Sequence, residues 1–237
     1  MSLPPTSLAA KHPDVMDQDS SAPAQPRRRG RPPGRSLRQE EQRKLNRAAI
    51  VAAAASVFAA KPYVHATIDD IIAAASISRA TFYVHFESKL ALAIEIYDSI
   101  GDSWLEHFDQ LAALAQRSVD ELKQWTLALT DLYIDHGYVT PLVEQLILFE
   151  PRFRQRLAED RDLLIDRLAK AGLPGFVAAT NGAPEALLQR ARLRLLLLRL
   201  DEVCGILMQT GANSPDADAY IAVIAEELRD RIGPPTA

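Results

Sequence analysis

Thr67-Ile68-Asp69-Asp70-Ile71-Ile72-Ala73-Ala74-Ala75-Ser76-Ile77-Ser78-Arg79-Ala80-Thr81-Phe82-Tyr83-Val84-His85-Phe86 reads as two short helices joined by a turn. Thr67 and Ser78 are suited to cap helix N-termini, because a short hydroxyl side chain accepts a backbone N–H from the first turn. The first helix is expected to reach Ala75 and the second to end near His85. Ile71, Ile72, Ala75, Ile77 and Phe82 are spaced so that the two pack together across a turn at Ser76, as in a helix-turn-helix. Ser88 supplies a third cap, so three helices follow one another through tight turns. If the second helix buries Ile77, Phe82 and Phe86, then Arg79, Ala80 and Tyr83 face outward, with Thr81 and His85 to one side. A guanidinium pairs bidentately with O6 and N7 of guanine, a methyl side chain meets the thymine methyl, and hydroxyls hold phosphates. This face is chemically suited to a DNA major groove.

Outward from that stretch, the pattern is helical throughout. A first helix from about Leu37 to Lys61 buries Ile50, Ala53, Ala54, Val57 and Phe58 and is stopped by Pro62. A long helix from Ser88 carries Leu90, Ile94, Tyr97, Ile100, Trp104, Phe108 and Leu111 on one stripe. Ser118-Val119-Asp120-Glu121 is a capping box whose helix should end near His136-Gly137. Pro141 and Pro151 open two more, the second running to Gly172. A loop from Gly172 to Pro184 precedes an apolar helix over about 185–210, and Ser214-Pro215 opens a last one ending at Gly233. The expectation is an all-α chain of about nine helices, without strands.

Composition agrees and excludes other classes. Of 237 residues, 48% are apolar and 24% charged, the balance of a globular protein and not of a disordered one. The single cysteine rules out an intramolecular disulfide and fits a reducing compartment, with the cytoplasm as the expected location. No apolar run is long enough to span a membrane, and the N-terminus lacks the basic head and apolar stretch of a secretory signal. The net charge of −4 hides an asymmetry. Arg27 to Arg47 holds nine Lys or Arg against two acids, a local +7, so the remainder carries −11. Positive charge gathered in one short segment of an otherwise acidic chain brings that segment to a polyanion, either nucleic acid or an anionic membrane.

Thr67-Ile68-Asp69-Asp70-Ile71, followed by Ala73 to Lys89 with its Thr-Phe-Tyr-x-His-Phe-x-Ser-Lys core, resembles the DNA-binding signature of the tetracycline-repressor (TetR) family over about Ile50 to Leu92. The resemblance implies a homodimeric, all-helical transcriptional regulator. It implies a three-helix DNA-binding domain and a helical C-terminal domain that dimerises through its last two helices, near 185–210 and 215–232, and binds a small-molecule effector. By the same resemblance Arg79, Ala80 and Tyr83 face bases of double-stranded DNA, while Thr67, Thr81, Tyr83, His85 and Lys89 hold its backbone, beside the cap Ser78. Two positions depart from the pattern: Pro62 and Ser76 stand where the family commonly has glycine, so Ser76 must tolerate whatever φ the turn imposes.

The domains expected are therefore a disordered basic arm over 1–36, a helix-turn-helix domain over 37–87 and a regulatory and dimerisation domain over 88–237. Arg29-Gly30-Arg31-Pro32 in the arm resembles an AT-hook core. Glycine lets the backbone lie deep in a narrow minor groove, and Arg29 and Arg31 meet the enhanced negative potential there. In the C-terminal domain Trp104, His107, Phe108, Trp125, Tyr133, His136 and Phe149 combine aromatic walls with polar tips, as small-molecule sites do, although most of them read as ordinary core. Leu193, Leu195, Leu196, Leu197, Leu198 and Leu200 cover too much of one helix for a single core, which calls for a second copy against the outer face. The five histidines lack metal-ligand spacing, no nucleophile-elbow or phosphate-loop pattern occurs, and no cofactor or catalysis is expected. Two other readings remain open: an architectural DNA-binding protein without ligand sensing, and a helical small-molecule-binding protein whose head is vestigial and whose arm meets anionic lipid.

Overall fold

A computed structural model describes residues 33–211, 214 and 216–233. Among these the chain forms eleven helices and no strand: α1 (Pro33–Ala60), α2 (Ile68–Ala75), α3 (Arg79–His85), α4 (Lys89–Asp98), α5 (Gly101–Ala113), α6 (Val119–Asp135), α7 (Val139–Phe149), α8 (Pro151–Lys170), α9 (Pro174–Ala178), α10 (Ala186–Thr210) and α11 (Ala217–Ile232). The expected arm tail, Arg29, Arg31 and Pro215 lie outside the described residues. Pro33 to Glu41 group apart from the residues after them, which form one compact unit from Gln42 onward.

The caps act as the sequence suggests. Thr67 and Asp70 form a reciprocal box at α2, Ser78 accepts the Thr81 N–H at α3, Ser88 accepts the Ala91 N–H at α4, and Ser118 with Glu121 repeats the box at α6. Each satisfies backbone donors that a helix start leaves without partners. Ser76 takes the left-handed conformation (φ 53°, ψ 43°) that ends α2, with its N–H on the Ala73 and Ile72 carbonyls and the Ile77 N–H on Ile72. At Pro62 no positive φ is needed, because its carbonyl accepts the N–H groups of His65 and Ala66 and turns the chain.

Four expectations need correction. The first helix begins at Pro33, inside the segment assigned to the arm. The long helix from Ser88 is two: the Ser99 hydroxyl donates to the Ile96 carbonyl and Gly101 follows, so the ladder breaks and α5 restarts there. Pro141 does not open α7 but sits in its first turn, where a missing N–H costs no intrahelical bond. Within the expected loop, Pro174 starts the short helix α9, which presses so closely on α11 that a Cβ on Gly175 would lie 1.6 Å from the Arg231 carbonyl oxygen.

Two large cores organise the described residues, beside a small cluster of Leu207, Ala217 and Ile221. One joins Ile50, Phe58, Ile71, Phe82 and Phe86 of the head to Ile96 of α4, Leu142 of α7 and Phe153 of α8. The other packs α5, α6, α8 and α9 against α10 and α11 through residues such as Phe108, Trp125, Ile165, Leu196 and Leu228. The interior of the head is thus continued by α4, α7 and the start of α8. No helix among the described residues is long and apolar enough to cross a membrane.

Candidate nucleic-acid interface

The face expected on α3 is formed. Phe82 is fully buried and Phe86 nearly so, which turns Arg79, Ala80 and Tyr83 outward. Tyr83 is 49% exposed, its ring edge-on against Phe82 at 5.4 Å, so it is amphipathic at the surface and not core. The Arg79 guanidinium donates to Asp69 Oδ1 of α2 at 2.6 Å. A hydrogen bond with Tyr83 and the Asp69 charge both stabilise its protonated form. Arg79 is therefore held by Asp69 while remaining exposed. Asp69 was not singled out by the sequence, and the signal available was its place one residue before the capping Asp70, on the face turned toward α3.

The neighbouring candidates have different surroundings. Ser78 and Thr81 share a hydroxyl–hydroxyl hydrogen bond of 2.8 Å at the start of α3. The Thr67 hydroxyl accepts the Asp70 N–H and donates to its carboxylate, and the Lys61 ammonium meets the same carboxylate at 2.7 Å. These donors hold the partly exposed Asp70 carboxyl down to about 2. His85 is partly exposed; burial first, then Arg43 and Arg47, hold its imidazole below the ordinary value and hence neutral near pH 7. Lys89 stands differently from an extended phosphate finger: its ammonium donates to the carbonyls of Tyr63 and Ala66 at 2.7 and 2.8 Å and lies over the Tyr63 ring.

Two further contacts that the sequence did not reveal fix the head. Arg47 of α1 forms a bidentate pair with Glu95 of α4 at 2.9 and 2.8 Å and donates to the carbonyl of His85, the last residue of α3. The Tyr63 hydroxyl donates to Glu150, between α7 and α8, at 2.9 Å. The contact partners lie 38 to 87 residues apart, beyond the reach of any local pattern.

Behind the head, α4 to α8 and α10 enclose a cavity of about 600 Å³. Of the seven effector-site candidates, Trp104, Tyr133 and His136 line it. The other four do not. Phe108 is core, and Phe149 is exposed at the end of α7. His107 and Trp125 form a buried interlock between α5 and α6, stacked at 4.8 Å, with His107 Nε2 donating to the Trp125 carbonyl and Trp125 Nε1 to the His107 carbonyl. The same pair borders only a shallow surface hollow beside Gln110 and Gln124. Polar groups deep in the cavity are tied together: Tyr133 donates to Asp201 at 2.7 Å, Arg161 pairs with the same carboxylate at 2.8 Å, and Tyr97 donates to Asp160 at 3.2 Å. No cluster of metal-ligating side chains occurs among the described residues.

Residues 50–96 match the family described as bacterial regulatory proteins, tetR family. No curated protein is similar to the chain. Among solved structures, Salmonella enterica GusR is 21% identical with a TM-score of 0.58, covering 79% of this chain and 95% of its own. The fatty acid degradation regulator FadR from Bacillus halodurans is 20% identical with a TM-score of 0.55, covering 77% and 94%. A candidate TetR-family transcriptional regulator from Mesorhizobium loti is 18% identical with a TM-score of 0.54, covering 78% and 96%. Residues 50–96 thus match the model of bacterial regulatory proteins of the tetR family, and the chain shares the all-helical fold of these solved structures.

Proposed function

We propose that this protein is a sequence-specific double-stranded-DNA-binding transcriptional regulator that acts as a homodimer and is released from its operator by a small molecule held in the α4–α10 cavity. The observation that carries the reading is the outward face of α3, where Arg79, Ala80 and Tyr83 are exposed above a buried Phe82 and Arg79 is oriented before any DNA arrives. A preoriented guanidinium loses less side-chain freedom on meeting guanine than a free one. Ser78, Thr67, Thr81, His85 and the remaining donor of Lys89 flank that face and meet phosphates. His85 gains a proton as the phosphate field replaces water. Arg29 and Arg31 of the basic arm enter the adjacent minor groove.

Dimerisation is supported by the second face of α10. Leu193, Leu196, Leu197 and Leu200 are buried, whereas Leu187, Leu188, Leu195 and Leu198 are exposed, with Tyr220 and Val223 of α11 exposed as well. An apolar surface of this kind on a folded chain marks an interface, and a twofold partner buries both copies at once. Paired α3 helices then read half-sites about 34 Å apart, and an effector that favours another spacing releases both together. Selection of bound duplexes from a random pool tests the reading. It should enrich an inverted repeat, and recovery of unrelated sequences would rule out dimeric base readout.

A further inference from the structure

The cavity carries information about its ligand in its charges. Five carboxylates line it (Asp98, Glu144, Asp160, Asp201 and Glu202) against three guanidiniums. Each guanidinium is already paired: Arg156 with Asp98 at 2.7 Å and Asp160 at 3.5 Å, Arg161 with Asp201 at 2.8 Å, and Arg167 with Asp109 at 2.5 Å. Arg161 is the most enclosed of the three, 14% exposed, and shares its carboxylate with the Tyr133 hydroxyl. By contrast, Glu144 and Glu202, which stand exposed at the cavity's edge, have no ion-pair partner among the described residues. The remaining wall is largely apolar and aromatic, with Trp104, Tyr97 and Tyr133 contributing rings.

We propose that this cavity accepts an apolar molecule bearing a cationic amine or quaternary ammonium group and disfavours anionic amphiphiles; the proposal rests on the reading of the cavity as the effector site. An anion placed here finds no uncommitted guanidinium. It must draw Arg156 or Arg161 away from a carboxylate and leave that acid unpaired in a half-buried site, a repulsive arrangement that selects against it. A cation meets the opposite situation: two unpaired glutamates, the excess of the Asp98 and Asp160 carboxylates over the single Arg156, and ring faces that attract positive charge. The volume lies within the range of drug-sized ligand sites. The preference follows from this chain's own side chains.

The test titrates the full chain by calorimetry with decyltrimethylammonium, decanol and decanoate below their micelle concentrations. The cation should bind at least about tenfold more tightly than decanoate, with decanol between them. The double variant Glu144→Gln with Glu202→Gln should lower affinity for the cation several-fold and leave decanol unchanged. Gly205 of α10 lines the cavity and has open space where a Cβ would sit, so Gly205→Phe should fill it and abolish binding of all three while thermal melting confirms the fold. Equal or tighter binding of decanoate would overturn the proposal. So would the absence of binding by all three probes, or cation binding that survives Gly205→Phe, which would mark adsorption to the acidic surface. A cation that binds with the expected preference yet leaves DNA bound would sustain the charge preference and break the effector reading instead.

Discussion

The outward face of α3 and the cavity between α4 and α10 are built by opposite strategies. Around α2 and α3 the organising contacts span three to ten residues: Thr67 with Asp70, Ser78 with Thr81, Asp69 with Arg79. The cavity is closed by contacts over 40 to 68 residues, such as Arg161 with Asp201, Arg156 with Asp98, Tyr97 with Asp160 and Tyr133 with Asp201. Local contacts form whenever their helices form, so the outward set on α3 is oriented by its neighbours in sequence, while Arg47–Glu95 and Tyr63–Glu150 anchor the head to later helices. Distant contacts exist only when the body is packed, so whatever alters the cavity is felt by the helices that meet there. Of these, α4 has Tyr97 and Asp98 at the cavity and, one turn earlier, Glu95 clamped to Arg47 and through it to the end of α3.

The contrast can be broken most strongly from the distant side. Asp201→Ala leaves the Arg161 guanidinium and the Tyr133 hydroxyl without their shared acceptor and should reduce stability to urea by about 2–3 kcal/mol. A loss below about 1 kcal/mol, the value of an exposed ion pair, would mean that the network does not hold the cavity together. Removing a local contact should cost less: Ser78→Ala should destabilise by about 1 kcal/mol, with faster amide exchange confined to α3 and its neighbours. Ser76→Gly should act in the other direction, by up to about 1 kcal/mol, because glycine occupies the left-handed turn without the Cβ clash. A destabilising glycine there would show that Ser76 is not strained.

The smallest effects separate the two regions by pH. His107, in the body, has its imidazole pushed below the ordinary value by burial, only partly offset by the Trp125 carbonyl. A folded state that binds fewer protons than the unfolded one is fully stable above about 6.5 and loses that contribution as pH falls. Asp70, in the head, is held to about 2, chiefly by the Lys61 ammonium and then by Thr67. Its contribution is complete above the usual carboxylate range and disappears only between about 4 and 2. Melting against pH should therefore show a smaller upper step in His107→Gln, a step His85 shares, and a smaller lower step in Asp70→Asn, a step Asp109 and Asp162 share. A single step common to both variants would contradict the assignment.

The same difference in reach decided what the sequence disclosed. The caps at Thr67, Ser78, Ser88 and Ser118, the turn at Ser76 and the outward set Arg79, Ala80 and Tyr83 follow from residues a turn or two apart, and they could be read directly. The break after Asp98 was hidden because Leu90, Ile94 and Tyr97 continue without interruption into the Trp104 and Phe108 stripe, and apolar period alone does not register a Ser99 back-bond. Of the aromatic candidates for an effector site, only Trp104, Tyr133 and His136 reach the cavity, because aromatic character is shared by core and cavity wall alike. The acidic lining escaped for the converse reason. Asp160 and Asp201 look like solvated charges until α8 and α10 face each other, although Asp201-Glu202 directly after the leucine run of α10 was a visible sign.

The direct test of base readout by α3 compares Arg79→Ala with the unmodified protein on a selected operator and on a scrambled duplex, at one fixed salt concentration. Loss of the guanidinium should weaken the operator by about 1–3 kcal/mol, relax preference at one base pair in each half-site, and leave scrambled DNA nearly unchanged. Equal weakening on both duplexes would show that Arg79 holds only phosphate, and the proposed reading face would be wrong.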